Sequence, residues 1–556
     1  MTDRTQITTH VAPAGSNANE DQIKRTQLGA QTVLGEPPFP SLGAIEVQLT
    51  SMWREILKVE SVESSSNFFK LGGRSVNVMQ LKSRIRHAFG VEMTVGEVFR
   101  NPTVTSLALL IDESRGQSGT QLERSRVVSS SMDDAPLSLS EGLVWALADS
   151  NSRYQAFNMQ MGSYLEGEID IEALQQSFDE LVRRHEVLRT FFPKEDGRPS
   201  RLVARSLRVP ISVVDFTAVD ETDREKKVRE HAGQIVNAPF DLGDGPLLRV
   251  HLYHLAEQRY VLNVVVHHII ADAWSFAVLG RELAALYKSN CDGELSALPE
   301  IPVQYSEFAR WQRANLQSEE FQESLGYWRD RLGSVENVAR LVPDLQESVP
   351  GEIKQETISF SLDQSLAVAL KDFSMASSST MFTVLLSAFM LTLGRATNSE
   401  EVALVVPVAA RTHPELEQVV GLFSNSIVVH ASTQENHLYR DFLKQVDETC
   451  QQAYTHQEVP FFMVRPSLKN PADFSRVIFD YLDGPEYNIP LANVHAKPFS
   501  AKAQNPFETD LIVFIHDQDL GFRFSVLFNA NRFSSSLVAN LFDAFRSELE
   551  AIAEAV

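Results

Sequence analysis

Apolar positions along the chain keep two different rhythms, and two stretches keep none. Residues 1–41 are rich in Thr, Asn, Gln, Gly and Pro and end near GEPPFPS. They are too polar to bury an ordering core, which predicts a flexible segment and a candidate docking element. Over 42–113 the rhythm is helical. AIEVQLTSMWREILKV repeats apolar residues every three or four positions, Val78, Leu81, Ile85 and Phe89 step likewise, and TVTSLALLIDES closes the unit. A helical module of this length can hold a core of its own. Residues 114–136, SRGQSGTQLERSRVVSSSMDDAP, are polar and serine-rich and predict an inter-domain linker.

From 137 to 556 strand and helix patterns alternate. DIEALQQSFDELVRRHEVLRTFF reads as a helix running into a strand. LLRVHLYHLA and RYVLNVVVHHII read as paired strands across a short polar turn, and WSFAVLGRELAALYKSN as a helix. EVALVVPVAAR is almost continuously apolar, as a strand buried on both faces should be. Further strands at SRVIFDYLD, DLIVFIHDQD and GFRFSVLFNA precede a last helix, SSLVANLFDAFRSELEAIAE. This length of alternation predicts two α/β lobes rather than one sheet.

Composition narrows the class. The 556 residues are 43% hydrophobic and 22% charged, as expected of a globular multidomain protein. Lys and Arg total 50 against 73 Asp and Glu, a net charge of -23, which argues against nucleic acid as the main partner. Cys291 and Cys450 have neither a pairing pattern nor a metal-ligand spacing, so a reducing compartment is expected and no metal site is predicted. The start lacks the apolar core of a signal peptide. MFTVLLSAFMLTL, preceded by Ser378, Ser379 and Thr380, is shorter than the ~20 residues of a membrane span and reads as a capped, buried helix. Together these features predict a cytoplasmic protein.

VVVHHIIADAWS carries the sharpest chemical signal. Neighbouring strand residues point to opposite faces, so one of His267 and His268 is expected in the core and the other at a site. An imidazole suits proton transfer near neutral pH. Asp272 could orient it, or lock the turn through an arginine. RRHEVLRTFF places arginines at a helix C-terminus, and Arg411 stands at the mouth of the apolar strand. Neither a phosphate-binding glycine loop nor a nucleophile elbow is present.

In order, these stretches resemble the condensation domains of nonribosomal peptide synthetases. LSLSEGLVWAL resembles the opening motif, RHEVLRTFF the second, and HHIIADAWS the H-H-x-x-x-D-G motif with Ala273 in place of glycine. YSEFARWQ and YWRDRL follow, then PVAARTHPELEQVVGLFSNSIVV, with Ala410 where glycine is usual, and HQEVPF; the final arginine-rich motif is faint in ADFSRVIFDY. NFFKLGGRS resembles the carrier motif D-x-F-F-x-L-G-G-x-S, with Arg74 in place of histidine or aspartate. The resemblance implies a multidomain protein: a small all-α peptidyl carrier protein, a four-helix bundle over 42–113, followed by an α/β condensation domain of two chloramphenicol-acetyltransferase-like lobes over 137–556.

By the same resemblance Ser75 is the attachment point of 4′-phosphopantetheine, which a phosphopantetheinyl transferase would supply, and His268 is catalytic, with His267 and Asp272 beside it. Asp272 takes a structural part, with Arg411 as first choice of partner and Arg189 as second; Asn425 adds support. The implied reaction is amide formation between a donor thioester and an amine. With no adenylation module ahead of the carrier and no carrier after residue 556, the expected partners are other synthetase proteins acting in trans: an adenylation domain or upstream module, and a downstream carrier or a free amine. An epimerisation-like domain and a degenerate domain that only docks carriers are the alternatives, the second resting on Ala273 and Ala410. If position 273 needs a positive φ, alanine there costs on the order of 1 kcal/mol.

Overall fold

The computed structural model describes residues 41–73, 75–91, 93, 95–117, 135–345, 354–433, 438–471, 473–482, 489–507, 509–518 and 521–554. The segment 1–40 expected to be flexible, the stretch 118–134 of the expected linker, Arg74 and the side chain of Ser75 lie outside the described residues; residues 114–117, expected to open the linker, instead finish the Val104–Gln117 helix.

The N-terminal module consists of helices Leu42–Leu57, Ser75–Phe89, Val95–Arg100 and Val104–Gln117. Ile45, Leu49, Trp53 and Ile56 form the inward stripe of the first, Val78, Leu81, Ile85 and Phe89 that of the second, and Val104, Leu107, Ala108 and Ile111 that of the fourth. A helix with such a stripe gains most of its stability by burying it. The NFFKLGG connection is tied down locally. Asn67 Oδ1 accepts the N–H groups of Phe69 (3.0 Å) and Lys70 (3.1 Å), and the Phe68 ring packs edge-on to Trp53 at 4.9 Å.

The remainder folds into two lobes. The first is a five-stranded sheet in the order His495–Pro498, Asn158–Glu166, Arg259–His267, Leu248–Ala256, Ile211–Asp215. The second is a six-stranded sheet in the order Asn425–Ser432, Glu401–Val408, Val477–Leu482, Leu511–Gln518, Gly521–Asn529, Gln355–Ser361. The lobes are not sequential halves, because His495–Pro498 leaves the second half and pairs antiparallel with Ser163–Glu166 of the first sheet. The Met381–Thr397 helix is buried along most of its length and capped by Thr380, whose Oγ1 accepts the Thr383 N–H at 3.0 Å. Among the described residues, no single helix is long and apolar enough to cross a membrane.

Candidate active site

The antiparallel pair Leu248–Ala256 and Arg259–His267 ends at the two histidines, and the helix Ala273–Asp292 starts six residues further on. Strand alternation separates the imidazoles as the sequence predicts. His267 is buried: its Nδ1 accepts the Ile269 N–H (3.2 Å), which makes Nε2 the protonated nitrogen, donating to the Tyr154 carbonyl at 3.0 Å. Burial pushes its pKa down to about 4, so it is a neutral structural hydrogen-bonder at pH 7. His268 is only partly buried and faces a cavity of about 2370 Å³. Its Nδ1 donates to the Ala271 carbonyl at 2.8 Å, which directs Nε2 as the free acceptor. Burial also lowers the His268 pKa, partly offset by that carbonyl and by Asp272, and this favours the neutral imidazole. The Phe157 ring lies 4.5 Å away and fixes the imidazole plane from one side.

Asp272 plays a different part. It caps the following helix: Oδ1 accepts from the Ser275 N–H (2.9 Å) and Oγ–H (2.7 Å). Arg411 grips both carboxylate oxygens at 2.8 and 3.0 Å, and the Phe423 and Ser424 N–H groups donate to Oδ2 at 3.0 and 3.1 Å. Burial alone would raise this carboxyl, but the Arg411 charge and the hydrogen bonds outweigh it and hold its pKa below the ordinary value. The arginine comes from the second lobe, so this fully buried pair fastens the two lobes at the histidine turn. Arg189 stands elsewhere, donating to the Ala204 carbonyl, and makes no hydrogen bond or ion pair with Asp272 among the described residues. Asn425 Nδ2 donates to the carbonyls of Gln457 (2.7 Å) and Val459 (2.8 Å), joining the head of its strand to the HQEVPF loop.

The two alanines behave differently from each other. Ala273 opens a helix and is not among the positive-φ residues, so the condition for strain there is not met: an aspartate cap sets up an ordinary first turn that any side chain fits. Ala410 has φ 48, in the left-handed region where glycine is at home, immediately before Arg411. Sequence reasoning missed the two backbone donors at Phe423 and Ser424, which leave no side-chain signature, and Ser275, which stood within the quoted motif three residues after the aspartate.

The N-terminal module meets the second lobe at the cavity's rim. Ser83 Oγ donates to the Thr412 carbonyl at 3.0 Å, and Arg84 pairs with Glu417 at 2.9 Å. The Glu417 carbonyl in turn accepts the Trp274 Nε1–H at 2.9 Å, which connects the rim to the helix behind the histidine turn.

Two lobes joined across a cavity, with a histidine turn on one and an arginine loop on the other, define a condensation-type fold. The X-domain from teicoplanin biosynthesis has the same fold (TM-score 0.68, 21% identity, 77% of this chain and 97% of that one). So does the epimerization domain from the third module of tyrocidine synthetase B (TM-score 0.65, 20% identity, 78% of this chain and 99% of that one). The condensation-domain family model matches residues 132–556 and the phosphopantetheine-attachment model residues 47–111, and the chain belongs to the condensation-domain family of nonribosomal peptide synthetases, with a carrier domain ahead of it. One component of the linear gramicidin synthase of Brevibacillus parabrevis is 31% identical over 514 residues, 91% of this chain and 10% of that protein. Surfactin synthase subunit 1 of Bacillus subtilis (strain 168) is 27% identical over 542 residues, 97% of this chain and 15% of that protein. The chain thus spans a small part of the length of these relatives.

The carrier's cofactor is covalently attached 4′-phosphopantetheine, and the residues present fit it. Gly72 has φ 94, and a Cβ on Gly73 would stand 2.3 Å from the Phe68 ring and 2.7 Å from its carbonyl oxygen, so the approach to the second helix admits only glycine at both positions.

Proposed function

We propose that this chain forms an amide bond between a donor acyl thioester and an amine supplied in trans, with Ser75 as the attachment point of phosphopantetheine and His268 as the catalytic group. When attached, the arm carries the acyl group as a thioester. The observation that carries the reading is the free His268 Nε2 facing the cavity, with its other nitrogen fixed on the Ala271 carbonyl. A neutral imidazole so oriented accepts a hydrogen bond from the attacking amine, or takes its proton, as the C–N bond forms and the C–S bond breaks; the proton ends on the leaving sulfur. Asp272 and Arg411 keep the turn in place rather than touching substrate. Much of the acceleration comes from holding two reactants in line, which requires few catalytic groups.

The test is a single-turnover assay by mass spectrometry. The arm is installed with a phosphopantetheinyl transferase and acylated, and free amines and separate aminoacyl carriers are offered. Ser75→Ala should accept no arm, and the wild type should release an amide with one class of amine. Deuterium uptake at the donor α-carbon without amide would favour epimerisation. A folded, loaded protein that does neither with a broad panel would favour a docking domain.

A further inference from the structure

The Val477–Leu482 strand is apolar but for one carboxylate. Phe479 faces the core, against the rings of Phe382 (6.3 Å) and Phe389 (5.6 Å), so strand alternation turns Asp480 to the other face, where it lines the cavity shared with His268. Apolar side chains flank it on the sheet: Ile478 precedes it on the same face, Phe514 is its partner across the sheet and Ile512 pairs with Ile478, while His516, whose pKa burial lowers, stands two residues beyond Phe514 on that face. Arg476, the nearest arginine along the strand, is turned to Asp510 at 3.5 Å. Asp480 makes no hydrogen bond or ion pair with any described residue. Burial raises its carboxyl pKa to about 7, with no neighbouring charge to offset the shift. A cavity-facing carboxylate in an apolar wall lacks the partner that such a group ordinarily has.

We propose that Asp480 is a recognition group for a cationic nitrogen, an ammonium or guanidinium, on one of the two substrates that meet in this cavity. The inference rests on the amide-forming reading and names its substrate class. The cation would complete the ion pair that the protein leaves open, while Ile478, Ile512 and Phe514 exclude water and strengthen it. The same chemistry could come from the donor, as a basic or free amino group on the acyl chain, or from a basic side chain on the acceptor.

Binding to the full chain separates these sources without requiring turnover. The donor pair is a pantetheine thioether bearing an aminopentyl or a pentyl chain; the acceptor pair is lysine amide and norleucine amide. Wild type should favour the cationic member of one pair by about 10–100-fold, as expected of a charge-assisted hydrogen bond. Asp480→Asn should bring that ratio to within about twofold, and Asp480→Glu should retain most of it. Equal binding within both pairs, or a preference that survives Asp480→Asn, overturns the proposal. Amide formation from neutral substrates without any cation preference sinks this inference alone. A cation preference lost in Asp480→Asn, with no amide from any pair, sinks amide formation and leaves the role of the carboxylate standing.

Discussion

Asp272 and Asp480 border one cavity from opposite lobes. The first accepts hydrogen bonds from Arg411, Ser275, Phe423 and Ser424, and the second from no described residue. Both are acids in largely dry surroundings, yet the pKa of one is held below and that of the other above the ordinary range. Asp272 is the more deeply buried of the two, so depth alone would raise its pKa further; its partners reverse the sign. A carboxylate whose acceptor sites are filled by its own chain belongs to the framework. One whose sites are left open is available to something that arrives.

Substitutions should separate the two carboxylates from each other and from His268. His268→Ala should lower single-turnover amide formation by ~10²–10⁴-fold while changing the melting temperature little, since its ring makes one hydrogen bond, to a carbonyl, and one ring contact, with Phe157. Asp272→Ala should act the opposite way, destabilising by about 3–5 kcal/mol because Arg411 is left buried without its partner. Denaturant unfolding alongside the kinetic assay decides; an early-melting His268 variant beside a merely slow Asp272 variant would reverse the assignment.

Stability against pH sharpens the contrast, because the signs differ. The lowered pKa of Asp272 gives stability that is fully present above an ordinary carboxyl pKa of about 3.9 and is lost as pH falls through the folded-state value. Asp480 is raised to about 7, so between that ordinary value and 7 the folded protein holds a proton that the unfolded chain has released. Stability from this site therefore falls as pH rises across that window. Melting curves of Asp480→Asn should gain on wild type as pH rises through it, and parallel curves would refute the shift. The smallest effect is expected at Ala410→Gly. Relief of the φ 48 strain should stabilise by about 0.5–1 kcal/mol, offset in part by the extra freedom of glycine in the unfolded chain.

The local parts of this architecture were legible in the sequence. Helical spacing marks the first, second and fourth carrier helices through residues such as Leu49, Trp53, Leu81, Ile85 and Leu107, whereas the short Val95–Arg100 helix was implied only by the resemblance; near-continuous apolarity marks Glu401–Val408 as an interior strand. Period and motif are properties of neighbouring residues, so they survive in one dimension. The return of His495–Pro498 to the first sheet was not legible, because a four-residue strand with mostly exposed side chains carries no alternation. Nor were the N–H donors of Phe423 and Ser424, which any residue but proline could supply. Asp480 did leave a trace, a single charge in VIFDYL, but a trace of that kind reads equally as a strand end until the cavity is seen.

That returning strand bears on how the chain can be divided. A fragment that keeps the histidine turn but stops before His495 would present Ser163–Glu166 as a bare edge, with N–H and C=O groups ready to pair with another molecule. Tyr164 and Leu165 lie within that edge and would favour such pairing. The returning strand therefore fills the hydrogen bonds of that edge, and a fragment of the first lobe that keeps the edge covered must include it.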